Sequence, residues 1–160
     1  MATNTASTRL SLDVLKKFRV IFGSVRHHFR AIEQSCGISG SQLWILSEVA
    51  LTPGVGVSEL ATRMSIHQTT CSQLVEKLVS REFLVKNRLK EDQRRVGLVL
   101  TKAGASALSR APGPAEGMLP VALASLPDTV LKTLDGSLTE VIDRLAVRDH
   151  RIAEKPLADL

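Results

Sequence analysis

Apolar side chains recur at helical spacing over long parts of the chain and at strand spacing in one short part. Leu15, Phe18, Phe22, Val25, Phe29 and Ile32 follow one another at intervals of three and four, one stripe of a helix from about Leu12 to Ser35. Gly37 stands where a glycine commonly ends such a helix. Ser39 and Gln42 have the spacing of a capping box, which opens a second helix through Trp44, Leu46 and Val49 to about Leu51, with a turn at Pro53-Gly54. A short helix is predicted over Val57 to Met64, with Leu60, Ala61 and Met64 facing inward. After a turn at Ser65-Ile66, another is predicted from Gln68 to Arg81, with Cys71, Leu74, Val75 and Leu78 inward.

The period then changes. Val96, Leu98 and Leu100 alternate with Gly97 and Val99 as in a half-buried strand, and Leu84 to Arg88 is placed to pair with it across a hydrophilic tip. Thr101 is placed to cap a helix that continues through Leu108 until Pro112-Gly113-Pro114 interrupts it. A second part is predicted from Ala115 towards Leu126 despite Pro120, and Pro127-Asp128 opens a last helix with Leu131, Leu134, Leu138, Val141 and Leu145. The fold class is therefore mainly α with a small β-hairpin wing. A winged helix-turn-helix lobe (37–101) is expected between N- and C-terminal dimerisation helices (12–36 and 102–148). A flexible N-terminus (1–11) and a flexible tail (149–160) complete the expected division. The long stripes near the two ends suit either an intramolecular bundle or pairing with a second copy. A small winged-helix core does not need both, which favours an isologous homodimer.

Composition narrows the function classes. With four Phe, one Trp and no Tyr, the core must rest on Leu, Val, Ile and Ala. No apolar run approaches the roughly 18 residues of a membrane span, and no secretory segment is visible, so a cytoplasmic protein without membrane association is expected. Cys36 and Cys71 belong to no CxxC or Cys/His pattern, and the adjacent His27 and His28 diverge on a helix instead of converging on an ion. No metal, no cofactor and no enzymatic activity are expected, because nucleophile motifs, phosphate-binding glycine loops and metal clusters are all missing from the sequence pattern.

The location of charge is more telling. Nine basic and four acidic residues lie between Thr62 and Lys102, so the whole excess of +5 falls in that window and the remainder is neutral. Such a field suits a polyanion. Short helix, tight turn, second helix and basic hairpin also follow the order of a winged helix-turn-helix. The exposed early turns of the second helix carry Thr69, Thr70, Ser72 and Gln73. Short polar side chains let a helix approach the floor of a major groove, and an amide can pair with adenine at two points. Lys77 is placed for a phosphate, and His67 and Gln68 stand at the helix entrance, where backbone N–H groups attract phosphate. Arg88, Lys90, Arg94 and Arg95 gather on the hairpin, and arginine in a narrow minor groove is a recurrent readout device. Double-stranded DNA is the expected partner.

Residues Val57-Ser-Glu-Leu-Ala61 and Thr70-Cys-Ser-Gln-Leu-Val-Glu-Lys-Leu78 resemble the helix-turn-helix of the MarR family of transcription regulators. The run Asp92-Gln-Arg-Arg-Val-Gly-Leu-Val-Leu-Thr-Lys-Ala-Gly104 resembles its wing, most specifically in Asp-x-Arg followed by Leu-Thr-x-x-Gly. The resemblance spans roughly Leu12 to Leu145. It implies a bacterial dimer held by its terminal helices and acting on an operator, with repression as the usual output. It further implies Arg94 in the minor groove, Asp92 orienting it and Arg95 on phosphate. The chain departs from the pattern at Glu82, where the family usually has Gly, and at the Pro112-Gly-Pro114 break.

Family members often respond to small aromatic effectors, for which Phe22, Phe29 and Trp44 are the candidate lining, although ordinary core packing explains them as well. A thiol-based redox sensor using Cys36 or Cys71 and a winged helix that binds protein instead of DNA are the alternative readings.

Overall fold

The computed structural model describes residues 2–88 and 96–160. Among them, seven α-helices and one two-stranded sheet run in the order α1 (Ala2–Cys36), α2 (Gly40–Leu51), α3 (Val57–Met64), α4 (Gln68–Ser80), β1 (Leu84–Arg88), β2 (Val96–Leu100), α5 (Lys102–Ser109), α6 (Met118–Ala124) and α7 (Asp128–Asp143). Two 3₁₀ turns follow, His150–Glu154 and Leu157–Asp159.

Local chemistry accounts for most boundaries. Ser39 and Gln42 form the reciprocal capping box at α2: the Gln42 N–H donates to Ser39 Oγ at 3.3 Å, and the Ser39 N–H donates to Gln42 Oε1 at 3.0 Å. Thr101 caps α5, its Oγ1 accepting from the Gly104 N–H at 3.0 Å. The C-terminus of α1 is closed by guanidinium groups from elsewhere in the lobe. Arg110 Nε donates to the Ser35 carbonyl at 3.0 Å and Arg81 Nη2 to the Gly37 carbonyl at 3.0 Å, cations placed where the helix dipole favours them.

The core lies almost wholly between Ile32 and Ala115. Leu43, Ile45, Leu46 and Val49 of α2 meet Leu60 and Met64 of α3, Cys71, Val75 and Leu78 of α4, and Leu84 and Leu98 of the sheet. β1 and β2 pair antiparallel with Leu84 opposite Leu100 and Arg88 opposite Val96. The hairpin is stitched to the α2–α3 connection, where Gly54 N–H donates to the Leu98 carbonyl at 2.8 Å and Leu98 N–H to the Val55 carbonyl at 3.0 Å. Glu82, just before β1, adopts the left-handed conformation with φ of 60°, as does Ser65 in the α3–α4 turn with φ of 54°. The residue that replaces glycine at Glu82 therefore keeps the turn and bears its strain, on the order of 1 kcal/mol. Its carbonyl and that of Phe83 accept from Thr101 Oγ1, at 2.6 and 3.2 Å, which holds the turn in place.

Four expectations change. Helix α1 starts at Ala2, so residues assigned to a flexible N-terminus continue the helix, with no proline among them to interrupt it. Helix α6 is only Met118–Ala124, with Pro120 tolerated in its first turn. Helix α7 ends at Asp143, short of Leu145. The tail after residue 148 is folded back on the lobe: Pro156 is buried, and Asp159 Oδ1 accepts from the buried Ser41 hydroxyl at 2.9 Å. These twelve residues, half of them polar, carry no periodicity, and the docking depends on single contacts that periodicity does not register.

Helix α7 buries none of its residues, and the N-terminal half of α1 leaves Leu10, Leu15 and Phe22 exposed at 66%, 43% and 61%. Phe22 also stacks obliquely on Phe18, ring centres 6.2 Å apart. The α7 stripe and the N-terminal part of the α1 stripe are thus present but not buried within one chain, whereas Ile32 at the other end of α1 is.

Two stability measurements test this packing. A Cβ at Gly104 would lie 2.2 Å from the Phe83 carbonyl oxygen, backbone that cannot yield cheaply. Gly104→Ala is expected to destabilise by about 2 kcal/mol, seen as a lower urea midpoint at unchanged slope. Burial pushes the Cys71 thiol from 9.0 up to about 11. As pH rises from 9 towards 11 the unfolded chain loses this proton before the folded chain does, so stability falls, by at most about 1.4 kcal/mol per pH unit. Cys71→Ala should lack this component, and a wild-type minus Cys71→Ala difference that stays constant over that range would contradict it.

Candidate nucleic-acid interface

The rotation of α4 about its own axis is set by its apolar residues. Cys71, Leu74, Val75 and Leu78 are buried in the lobe, so Thr69, Ser72, Gln73 and Lys77 turn the other way. Gln68, Thr69, Gln73 and Lys77 are exposed, while Thr70 and Ser72 are half-buried at the edges of this face. The six side chains make a polar ridge on one convex surface, small at the N-terminal end and cationic at Lys77.

His67 stands at the entrance of α4, as expected. It is the N-cap of α4, its ring Nδ1 accepting from the Thr69 N–H at 3.2 Å. Its own N–H donates to the Glu154 carbonyl at 3.0 Å, so the tail reaches the entrance of this helix.

One residue of the face was missed. Glu76 lies three residues beyond Gln73 and four beyond Ser72, on the same exposed surface, a position the helical spacing alone could have flagged. It is paired with Lys86 of β1 in a short ion pair, which ties the helix to the hairpin and balances its charge. Other cations of the basic window also hold the lobe together. Arg63 reaches Glu48 at 3.2 Å, Thr52 Oγ1 at 2.9 Å and Glu59, joining α2 to α3. The Arg81 guanidinium lies 4.9 Å from the centre of the Phe83 ring. Arg88 is exposed at the outer end of β1. Lys90, Asp92, Arg94 and Arg95 lie outside the described residues.

The aromatic residues singled out for an effector do not share one cavity. Phe22 and Phe29 line a cleft of about 510 Å³ beside α1, together with Arg26, Arg30 and, from the tail, Leu157 and Leu160. Trp44 is half-buried against the lobe core, and its Nε1 donates to Glu48 Oε1 at 3.2 Å. Both thiols are buried. Burial raises the Cys36 thiol against the opposing charge of Arg110, and Cys71 has no access to solvent. Among the described residues no three His, Cys, Asp or Glu side chains gather as a metal site, and no helix is long and apolar enough to cross a membrane.

Residues 37–95 match the sequence model of the MarR family. No curated protein matches the chain in sequence. Solved structures of the same fold include a MarR-family transcription regulator (TM-score 0.57, 19% identity, 91% of this chain and 98% of that one covered). The YusO protein of Bacillus subtilis has a TM-score of 0.54 and 16% identity, covering 86% of this chain and 98% of that one. A MepR mutant of S. aureus, bound to an oligodeoxyribonucleotide, has a TM-score of 0.53 and 18% identity, covering 81% of this chain and 96% of that one. At these identities the likeness speaks for the fold, and the sequence match to the MarR family is confined to the lobe, residues 37–95.

Proposed function

We propose that the protein binds duplex DNA sequence-specifically as a homodimer, occupies a palindromic operator and represses transcription from it. The observation that carries this reading is the polar ridge of α4, turned outward by four buried apolar residues and flanked by the hairpin. Gln73 is the residue suited to two-point pairing with adenine, Thr69 and Ser72 allow close approach, and Lys77 and Arg88 meet phosphate. The oligonucleotide carried by the MepR structure supports the same reading. By the resemblance of the wing, Arg94 enters the minor groove with Asp92 orienting it, and Arg95 and Lys90 meet the backbone.

The dimer reading rests on exposed apolar surface. Leu10, Leu15 and Phe22 of α1, with Val130 and Val141 of α7 and Leu145 just beyond it, are between 43% and 66% exposed, much apolar area to leave in water. Joining two copies through these faces buries it and presents two α4 ridges related by a twofold axis. Successive major grooves lie about 34 Å apart, so the dimer interface governs which operators fit. A small aromatic acid is the effector class suited to the cleft of Phe22 and Phe29, because Arg26 and Arg30 offer its carboxylate a partner. The thiol-sensor alternative has no comparable support, since both thiols are buried with their ionisation suppressed.

Selection of bound sequences from a random duplex pool should return a palindrome whose half-sites are one helical turn apart. On that site Gln73→Ala and Arg94→Ala are each expected to cost about 1–3 kcal/mol of affinity, and Lys77→Ala to weaken all sequences alike while lowering the salt slope by about 1. Failure of selection to enrich any sequence, with Arg94→Ala binding as the parent does, would favour a winged helix that recognises protein.

A further inference from the structure

The tail offers an observation that DNA recognition alone does not explain. Asp149 grips Arg151 with two contacts, 2.8 and 3.0 Å, which stiffens the start of the segment. The 3₁₀ turn that follows ends at Glu154, whose carbonyl takes the His67 N–H. Glu154 also lines a concavity with Ser58, Thr62, Ser65 and Gln68, the surface around the start of α4. Further on, Pro156 is buried, Asp159 accepts the Ser41 hydroxyl, and the Ala158 methyl approaches Gly40, where an added Cβ would meet it at 3.0 Å and the Phe29 ring at 2.4 Å.

The segment thus bridges α1, α2 and the entrance of α4. That entrance is where a phosphate would be expected to approach, because the first N–H groups of a helix have no partner within it and point outward, that of Thr69 being taken here by His67 Nδ1. The His67 N–H is already engaged by Glu154, and a carboxylate-bearing residue sits beside Gln68. The attachment is also slight. Ile152, Leu157 and Leu160 remain 43%, 38% and 63% exposed, so the strap belongs to the readily opened parts of the molecule.

We propose that residues 149–160 form an autoinhibitory strap that competes with DNA for the entrance of α4. This rests on the DNA-binding reading above. In the docked state the strap withholds the His67 N–H and sets Glu154 where a phosphate would lie. In the released state the entrance is open. Apparent affinity then equals the intrinsic affinity scaled by the released fraction.

The test uses the full chain and the double variant Leu157→Asp with Asp159→Ala, both at positions open to solvent. The probe is a random-sequence duplex of about 30 base pairs at about 50 mM salt, where backbone attachment is strong. The variant is expected to bind about tenfold more tightly. In the wild-type chain, amide exchange at Lys155 and Asp159 should accelerate on adding the duplex, while α4 amides become better protected. Equal binding by both chains, or strap amides that stay as protected in the complex as in the free protein, would overturn the strap and leave DNA binding standing. If neither chain binds the duplex, both readings fall. The exchange experiment needs no variant and decides the matter even if the double variant fails to fold.

Discussion

The burial of Cys71, Leu74, Val75 and Leu78 against α2 and α3 is the interaction on which the rest depends. A helix has no intrinsic front, and the polar residues of α4 form one outward face only because its apolar residues fix which way it turns. At roughly 25 cal/mol per Å² of apolar surface removed from water, four such side chains outweigh any preference the outward residues have for one rotation over another. The face is then free to carry Thr69, Ser72 and Gln73, whose identities have little to do with folding. Outward residues can vary at small cost in stability when packing has already oriented the helix.

Periodicity and capping were the most legible signals. The Ser39–Gln42 box, the α3–α4 turn, the Leu84–Arg88 and Val96–Leu100 strands and the Thr101 cap all lie where the sequence pattern puts them, because each is decided by neighbours within a few residues. The tail was not legible, because Asp159–Ser41 and Glu154–His67 join residues far apart in sequence through single hydrogen bonds. That the His67 ring caps α4 was not legible either. A histidine before a helix fits either a phosphate contact or a cap, and only geometry shows Nδ1 turned to Thr69. The stripe of α1 was read correctly as a helix, but periodicity does not say what covers a stripe. Ile32 is fully buried by the lobe and Phe22 is 61% exposed, although both belong to it.

The basic window shows how a net charge divides between folding and function. Arg63, Arg81 and Lys86 are engaged inside the lobe, with Glu48 and Glu59, with Phe83 and the Gly37 carbonyl, and with Glu76. An ion pair of this kind leaves the long-range field of the window unchanged, because the sum of charges is what a distant polyanion senses. It does remove those side chains from direct contact. Lys77 and Arg88 therefore stand as the described cations best placed for contact, and the paired ones contribute attraction without address.

Helix α1 joins these two roles mechanically. Its C-terminal turn is locked to the lobe by Ile32 and Cys36 in the core and by Arg110 and Arg81 on its last carbonyls. Its N-terminal half carries exposed apolar residues instead. His28, buried at the join, meets the Pro114 carbonyl at 3.0 Å, so the proline break that interrupts the chain after α5 is packed against the same helix. In the proposed dimer, a helix anchored at one end and apolar at the other would convert the geometry of association directly into the spacing of whatever the lobes present. With the Pro112-Gly113-Pro114 break fastened to α1 through His28, such a dimer would carry its load through α1.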